Sequence, residues 1–206
     1  MAGNASFDVL CIGNAIVDII ARAEDDFLRE NGIVKSAMNL IDADRATLLY
    51  NRMGPAVETS GGSAGNTAAG IASFGGKAAY FGKVCNDQLG EIFKHDIRAQ
   101  GVAFDTNPLF DFPPTARSMI FVTPDGERSM NTYLGACVEL SPDDVEEDKA
   151  ANSQVTYFEG YLWDPPKAKD AIRETARIAH ENGRQVAMSL SDAFCVDRYR
   201  DEFLEL

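Results

Sequence analysis

The sequence predicts an α/β fold in which helices flank a mostly parallel β-sheet and a small second β-sheet forms a lid. Apolar strand patterns alternate with amphipathic helix patterns along most of the 206 residues, as right-handed β-α-β crossovers require. A glycine-rich run at residues 61–67 leads directly into one of these helices. Two segments, residues 16–41 and 115–134, contain strands without matching crossover helices, so we expect them to pair into the lid.

In the first half of the chain, start and stop signals bound each element. An apolar run at residues 7–12 ends at Gly13 and is typical of a buried parallel strand. Asp42 is placed to cap the helix that follows it, and Gly101 to end the helix before it. The predicted strands are residues 7–12, 16–23, 37–41 and 77–82, and the predicted helices are residues 25–31, 43–53, 64–74 and 88–100.

In the second half, the turn signal Pro124-Asp125-Gly126-Glu127 separates two strands. Ser141 and Pro142, followed by two acidic residues, are typical of a helix start. The predicted strands are residues 115–122, 129–134, 155–158 and 185–190, and the predicted helices begin at residue 141 and cover residues 165–182 and 196–206. The last helical pattern has no stop signal, so we expect residues 1–206 to be the N-terminal part of one domain in a longer protein, with its C-terminal part missing here.

Composition and charge exclude several classes of function. The formal net charge of −13 argues against a nucleic-acid-binding surface. No apolar stretch reaches membrane-spanning length and the N-terminus lacks a signal-peptide pattern, so we expect a cytoplasmic protein that does not bind membranes. The four cysteines form no C-x-x-C pair and are expected to be buried free thiols, and neither they nor the two histidines indicate a metal site.

The run at residues 61–67, Gly-Gly-Ser-Ala-Gly-Asn-Thr, is the strongest candidate binding element. Glycines let the backbone approach a ligand closely, and the start of a helix presents unpaired N–H groups. Asn66 adds a side chain that both donates and accepts hydrogen bonds. The run therefore favours a ligand rich in hydroxyls, such as a sugar, or a phosphate. A tight turn before an ordinary helix is the alternative.

Four motifs occur in order and together resemble the ribokinase-like (PfkB) carbohydrate and nucleoside kinases. They are Gly13-Asn14-Ala15-Ile16-Val17-Asp18, the run at 61–67, Phe81-Gly82-Lys83-Val84 with Asp87-Gln88-Leu89-Gly90, and Asp125-Gly126-Glu127-Arg128-Ser129. Within this family, the opening Gly13-Asn14, the segment Glu159-Gly160-Tyr161 and the run at residues 189–194 are most similar to the bacterial adenosine kinases.

The resemblance implies a ribokinase-like fold and transfer of the γ-phosphoryl group of ATP, with Mg²⁺, to a primary hydroxyl of a sugar or nucleoside. By position, Asp18 resembles the carboxylate that grips two ribose hydroxyls, and a carboxylate is an acceptor that suits two neighbouring donors. Arg128 resembles the lid arginine that meets the transferring phosphate. The other implied acceptor-binding positions at this end of the site are Asn14, Gly61, Gly62, Ser63 and Asn66.

Apolar side chains favour a purine nucleoside, adenosine first, over a free sugar as the acceptor. Strand alternation predicts that apolar side chains of both lid strands face the acceptor, and Tyr161 lies near the position of the base-stacking aromatic in adenosine kinases. Packing of the lid against the core is the alternative role for these side chains. The residues assigned to this apolar wall are Met119, Phe121, Met130, Thr132, Leu134 and Tyr161.

The sequence departs from the family pattern in one important respect. The Gly-Ala-Gly-Asp motif with the catalytic base, the Asn-x-x-Glu segment associated with Mg²⁺ and the adenine-binding loops of the ATP site are absent, and we expect them after residue 206. We therefore expect this chain to carry the acceptor-binding half of the site and the lid, and to be inactive alone. We expect ATP and a small-molecule acceptor as partners, in a monomer or a homodimer formed through the lid.

This function has three alternatives. One is a non-catalytic module that binds a sugar or nucleoside, and another is a kinase for a free sugar such as ribose, fructose or 2-keto-3-deoxygluconate. The third, a dinucleotide-dependent oxidoreductase, needs a G-x-G-x-x-G fingerprint after the first strand, and this sequence lacks it.

Overall fold

The computed structural model describes residues 5–205, and two five-stranded sheets contain all ten strands of that part. The strands are β1 (Phe7–Ile12), β2 (Ile16–Arg22), β3 (Met38–Leu40), β4 (Ala56–Ser60), β5 (Ala78–Phe81), β6 (Val102–Ala103), β7 (Ala116–Val122), β8 (Arg128–Tyr133), β9 (Ser153–Glu159) and β10 (Gln185–Ser189). The helices are α1 (Asp25–Glu30), α2 (Ala43–Arg52), α3 (Ser63–Ser73), α4 (Gln88–Ala99), α5 (Glu147–Ala151), α6 (Pro166–Glu181) and α7 (Ala193–Glu205).

The first sheet is entirely parallel and has the strand order β10-β9-β1-β5-β6. Alternate residues of β1 belong to different core clusters, because successive side chains of a strand point to opposite faces. Val9 and Cys11 lie in one cluster with residues of α3 and α4, whereas Leu10 and Ile12 lie in the other with residues of α6. Burial on both faces explains the continuous apolar run, and the predicted parallel sheet with flanking helices is confirmed.

The second sheet has the order β3-β8-β7-β2-β4 and unites the two segments that lack crossover helices. β2 and β7 pair in parallel, and β7 and β8 form an antiparallel hairpin around the turn at residues 124–127. β4 adds an antiparallel edge strand beside β2 that the sequence did not predict. Its five residues are only partly covered, with Val57 66% exposed, and therefore show no clear alternation.

Most predicted elements end within two residues of the observed ones. The predicted cap of α2 is present, since the Asp42 carboxylate accepts a hydrogen bond from the Arg45 N–H at 2.7 Å. The helix start predicted at residue 141 is present as the 3-10 helix Pro142–Asp144, with Ser141 as its N-cap, and α5 begins after it at Glu147. The Asp144 carboxylate accepts from the Ser141 N–H at 3.0 Å, which completes the capping box at the start of this 3-10 helix, and pairs with Lys83 at 2.5 Å.

Two other predictions can be checked against the described residues. The C-terminal helix α7 begins at Ala193, three residues before the predicted start, and Leu206 lies outside the described part. All four cysteines are buried and free of disulfide bonds, as predicted. In residues 5–205, no helix combines the length and the apolar character that crossing a membrane requires.

Asp96 of α4 anchors β4 of the second sheet beneath the glycine-rich loop. Its Oδ2 accepts hydrogen bonds from Thr59 Oγ1 at 2.9 Å, Ser60 N at 2.7 Å, Ser60 Oγ at 2.8 Å and Gln100 Nε2 at 3.1 Å. Partial burial alone would raise the pKa of Asp96, but the hydrogen bonds from Ser60, Thr59 and Gln100 outweigh it and lower that pKa. The helix layer thus fixes the edge strand that leads into residues 61–67.

We predict that Asp96→Ala lowers the free energy of unfolding at pH 7 by about 2 kcal/mol, because several donors lose a charged acceptor. A lowered folded-state pKa means that this stabilisation is present above the ordinary value of 3.8 and is lost as the pH falls through the folded-state pKa. Denaturant unfolding at neutral and acid pH measures both effects. His95→Ala, an exposed change on the same helix, is the control and should stay within about 0.5 kcal/mol of the unsubstituted protein.

Candidate functional site

A cavity of about 260 Å³ lies between the carboxyl ends of the first-sheet strands and one face of the second sheet. The carboxyl ends of parallel strands are where open α/β sheets bind ligands. Asn14 follows β1, Glu159 ends β9, and α3 begins beside them. The second sheet contributes the opposite wall, and its lining residues are Ile16, Asp18, Met38, Leu40, Ser118, Ile120, Arg128, Met130, Thr132 and Leu134.

Asp18 lies in the middle of β2 with its carboxylate in the cavity wall. Burial raises its pKa from 3.8 to about 6, and the nearby positive charge of Arg128 acts in the opposite direction. Within residues 5–205, no hydrogen bond to this carboxylate is formed. A partly buried carboxylate with free lone pairs is an acceptor site for donors that enter the cavity.

The two glycines that open the 61–67 run are required by contacts inside the protein. A Cβ atom at Gly61 would lie 2.3 Å from Oδ2 of Asp18. Gly62 has φ +82°, and a Cβ there would lie 2.1 Å from the backbone oxygen of Asn14. These contacts explain the glycines without a ligand, while Ser63 and Asn66 remain exposed where the loop lines the cavity.

Glu159 is the buried carboxylate at the inner end of the cavity, and its side chain is only 1% exposed. Its Oε1 accepts from Asn14 N at 2.8 Å and from Asn14 Nδ2 at 2.7 Å, and its Oε2 accepts from Ala64 N at 2.7 Å. The pKa of Glu159 is raised, because the effect of burial exceeds the opposite effect of the hydrogen bonds from Asn14 and Ala64. The sequence placed Glu159 in a motif but assigned it no role.

The bond to Ala64 gives α3 a cap from a distant part of the chain. Gly62 occupies the N-cap position and has no side chain to cap the helix. Glu159 supplies a carboxylate oxygen there instead, with the charge that the positive end of the helix dipole favours. One N–H group at the start of α3 is thus already bound to a carboxylate, whose negative charge disfavours a phosphate there and favours the hydroxyl ligand.

The apolar wall of the cavity comes from the strands at the far side of the second sheet. Met130, Thr132 and Leu134 line the cavity from β8 and the residue after it. Met38 and Leu40 of β3 lie beside them, because β3 pairs with β8 in parallel. This wall can cover a flat apolar group.

The structure corrects the prediction that the side chains of Met119 and Phe121 face the acceptor. Both side chains lie in the core, 0% and 1% exposed, and the ring of Phe121 contacts that of Phe27 at 5.0 Å. Ser118 and Ile120 line the cavity in their place. The hairpin register sets Ser118 and Ile120 opposite the cavity-facing residues of β8, so the other two side chains point away.

An aromatic pair closes one end of the cavity. The ring centroids of Tyr161 and Phe194 are 5.9 Å apart and the rings are tilted by 43°. Ser191 Oγ accepts a hydrogen bond from the Tyr161 N–H at 3.2 Å, which fixes the segment after β9. Asp164 also lines this end and binds Arg198. Phe194 and Asp164 were missed, although Phe194 ends the run at residues 189–194 used for the resemblance.

Arg128 is the first residue of β8, and its exposed side chain lines the cavity. Among the cavity-lining residues that the structure describes, it is the only cation, and three carboxylates share the cavity with it: Asp18, Glu159 and Asp164. The cavity therefore offers mostly hydrogen-bond acceptors, with one long positive side chain on the side of the second sheet.

Comparison with known proteins shows several similar sequences and structures. The profile of the pfkB family carbohydrate kinases matches residues 6–206. The crystal structure of adenosine kinase from Sinorhizobium meliloti is 79% identical over 98% of this chain and 62% of its own, with a TM-score of 0.91. That of a probable sugar kinase protein from Rhizobium etli CFN 42 is 72% identical over 98% of this chain and 61% of its own, with a TM-score of 0.91.

Curated proteins from Arabidopsis thaliana are more distant. The probable fructokinase-4 is 28% identical over 138 residues, which are 64% of this chain and 38% of that protein. Adenosine kinase 2 is 25% identical over 213 residues, covering 98% of this chain and 60% of that protein. The chain thus spans less than two thirds of the length of these relatives.

We predict that Asp18→Asn stabilises the unliganded protein at pH 7.5. A folded-state pKa of about 6, above the ordinary 3.8, means that ionisation opposes folding. The contribution of Asp18 to the free energy of unfolding is fully present below about pH 4, declines as the pH rises towards 6 and is lost above that value. The difference is on the order of 3 kcal/mol.

Calorimetric unfolding should therefore show a higher midpoint for the Asp18→Asn variant than for the unsubstituted protein at pH 7.5, and a narrower gap between the two at pH 4.5. Asp44→Asn, which changes an exposed carboxylate on α2, is the matched control and should change the free energy of unfolding by less than about 0.5 kcal/mol. A lower midpoint for Asp18→Asn at pH 7.5 would show that the carboxylate has a stabilising partner.

Proposed function

The chain belongs to the pfkB family of carbohydrate kinases, and from this we propose that the protein transfers the γ-phosphoryl group of ATP to the 5′-hydroxyl of a ribonucleoside, with adenosine favoured. In this proposal the chain supplies the acceptor-binding half of the site, and the second sheet serves as its lid. One observation carries the proposal: the unpartnered Asp18 carboxylate faces a cavity that also has an apolar wall and an aromatic end.

Asp18 binds the sugar part of the acceptor. Two neighbouring ribose hydroxyls donate to its two oxygens, and each charge-assisted hydrogen bond contributes about 1.5–3 kcal/mol. These donors offset the cost of burying the charge, which the unliganded protein bears alone. Asn14 and Asn66, which line the same end of the cavity, bind further hydroxyls.

The apolar wall and Tyr161 bind the base. A purine is flat and largely apolar, so Ile120, Met130 and Leu134 can cover one face of it. Stacking on an aromatic ring such as Tyr161 contributes roughly 1–3 kcal/mol. A free sugar has no group that needs this surface, which favours a nucleoside.

Arg128 acts on the phosphate that is transferred. Its guanidinium reaches the cavity from the lid side and offsets the charge that spreads over the equatorial phosphate oxygens. ATP supplies the transferred group. Among residues 5–205, no cluster of three or more His, Cys, Asp and Glu side chains could hold a metal ion.

A kinase for a free sugar is the second candidate. The match to a probable fructokinase and the similarity to a probable sugar kinase structure favour it. Asp18 would accept hydrogen bonds from hydroxyls of such a sugar, and the apolar wall would then serve only to pack the lid against the core. A binding module without catalysis would keep the cavity and show no phosphoryl transfer.

We predict that the intact protein, including any sequence that follows residue 206, phosphorylates adenosine with a higher kcat/KM than guanosine, ribose or fructose. Desolvation and stacking of the base stabilise the nucleoside complex, and the free sugars lack both contributions. A coupled assay for ADP release with each acceptor at several concentrations measures the four values. A free sugar with a kcat/KM equal to that of adenosine would replace the nucleoside assignment, and binding without ADP release would replace the kinase assignment.

We predict that Arg128→Ala lowers kcat by about 10²- to 10³-fold and changes the KM for the acceptor by less than threefold, because its partner is charge that develops during transfer. Steady-state kinetics on the intact protein separates the two constants. Arg22→Ala is the matched control, since Arg22 is an exposed arginine of the same sheet that does not line the cavity. A rise in KM with kcat retained would make Arg128 an acceptor contact.

A further inference from the structure

We infer that Glu159 is a positioning residue for acceptor binding, which fixes the side-chain amide of Asn14 so that its Oδ1 is available to the cavity as a hydrogen-bond acceptor. The inference rests on the proposed function, in which Asn14 binds a hydroxyl of the acceptor. Glu159 itself acts through Asn14 and need not touch the acceptor.

The chemistry of the carboxylate sets the orientation of the amide. Oε1 of Glu159 lies 2.7 Å from Nδ2 of Asn14 and can only accept a hydrogen bond. The flipped amide would place Oδ1 against Oε1, two acceptors at hydrogen-bond distance. Oδ1 of Asn14 accepts no hydrogen bond from any described residue, so it is a free acceptor on a side chain that lines the cavity.

Glu159 is itself held from several sides. Its second oxygen accepts from the Ala64 N–H at 2.7 Å, and its first also accepts from the Asn14 N–H at 2.8 Å. A Cβ atom at Gly13 would lie 2.7 Å from its Cδ, so the backbone after β1 closes against it. A side chain fixed in this way can transmit a defined orientation to its neighbour.

No positively charged partner explains the burial of the Glu159 carboxylate. No ion pair involving Glu159 occurs within residues 5–205, although its side chain is 1% exposed. Burying a carboxylate without a counter-charge costs free energy, and the three N–H donors of Asn14 and Ala64 offset only part of that cost. A cost retained beside the cavity points to a role in the site.

The orientation determines which ligand groups the polar end can bind. One N–H of Asn14 Nδ2 is engaged by Glu159, and Oδ1 is an acceptor. Asp18 also only accepts, so two neighbouring acceptors face the cavity. They select ligand groups that donate, such as the neighbouring hydroxyls of a ribose, over carbonyl or phosphate oxygens.

The test measures the dissociation constant of adenosine by calorimetry with the intact wild-type protein, Asn14→Ala, Glu159→Ala and the double variant. Each single change should weaken binding by at least about tenfold. The double variant should be within about threefold of the weaker single variant, because both changes remove the same hydrogen bond. Glu159→Gln should weaken binding less than Glu159→Ala, because its amide oxygen can still accept both donors of Asn14, although its Nε2 then faces the Ala64 N–H, a donor against a donor.

Other results would overturn the inference. Losses that multiply in the double variant would show that Glu159 acts independently of Asn14. A Glu159→Gln variant as weak as Glu159→Ala would show that an acceptor for the two donors of Asn14 is not what Glu159 contributes. Glu147→Ala, an exposed change on α5, is the control. If Glu159→Ala does not fold, Glu159→Met takes its place as a variant of similar length without an acceptor.

Failure of the proposed function is seen separately, in the wild-type protein. If wild type binds ribose or fructose and not adenosine, the dissociation constants of the wild type and the variants are measured with that sugar, because the inference concerns hydroxyl recognition. If wild type binds none of these acceptors, the proposed function is overturned before any substitution is compared, and the inference with it.

Discussion

Three distant segments of the chain meet at the carboxylate of Glu159. The end of β9 carries it, the segment after β1 donates to it through Asn14, and the start of α3 donates through Ala64. The partners are 145 and 95 residues away in sequence. The position of the glycine-rich loop relative to both central strands therefore depends on this one buried acceptor, and the cavity takes its shape from that junction.

The two carboxylates of the cavity differ in how they are satisfied. Glu159 has three N–H donors and is closed off from solvent, whereas Asp18 receives no hydrogen bond from the described residues. Burial raises the pKa of both groups, but only Asp18 keeps its lone pairs open to the cavity. The first therefore holds the cavity wall together, and the second remains without a hydrogen-bond donor in the unliganded protein, a cost in stability of the kind found at functional sites.

Much of the fold could be predicted from local patterns, and the site only in part. Period and capping residues predicted the parallel sheet, and the lack of crossover helices predicted the second sheet. Alternation gives the period of a strand but not its phase, so Met119 and Phe121 were assigned to the wrong face because β7 carries apolar residues on both. The junction at Glu159 depends on contacts between distant segments, which no local pattern contains.

The two glycines of the loop differ in what would have to change before they could be replaced during evolution. At Gly62 the obstacle is the backbone oxygen of Asn14, which no substitution removes. At Gly61 the obstacle is the side chain of Asp18, which a smaller residue at position 18 would withdraw. Position 61 can therefore accept a side chain only if the side chain at position 18 becomes smaller or moves, so the two positions are coupled and a change at 61 depends on a change at 18.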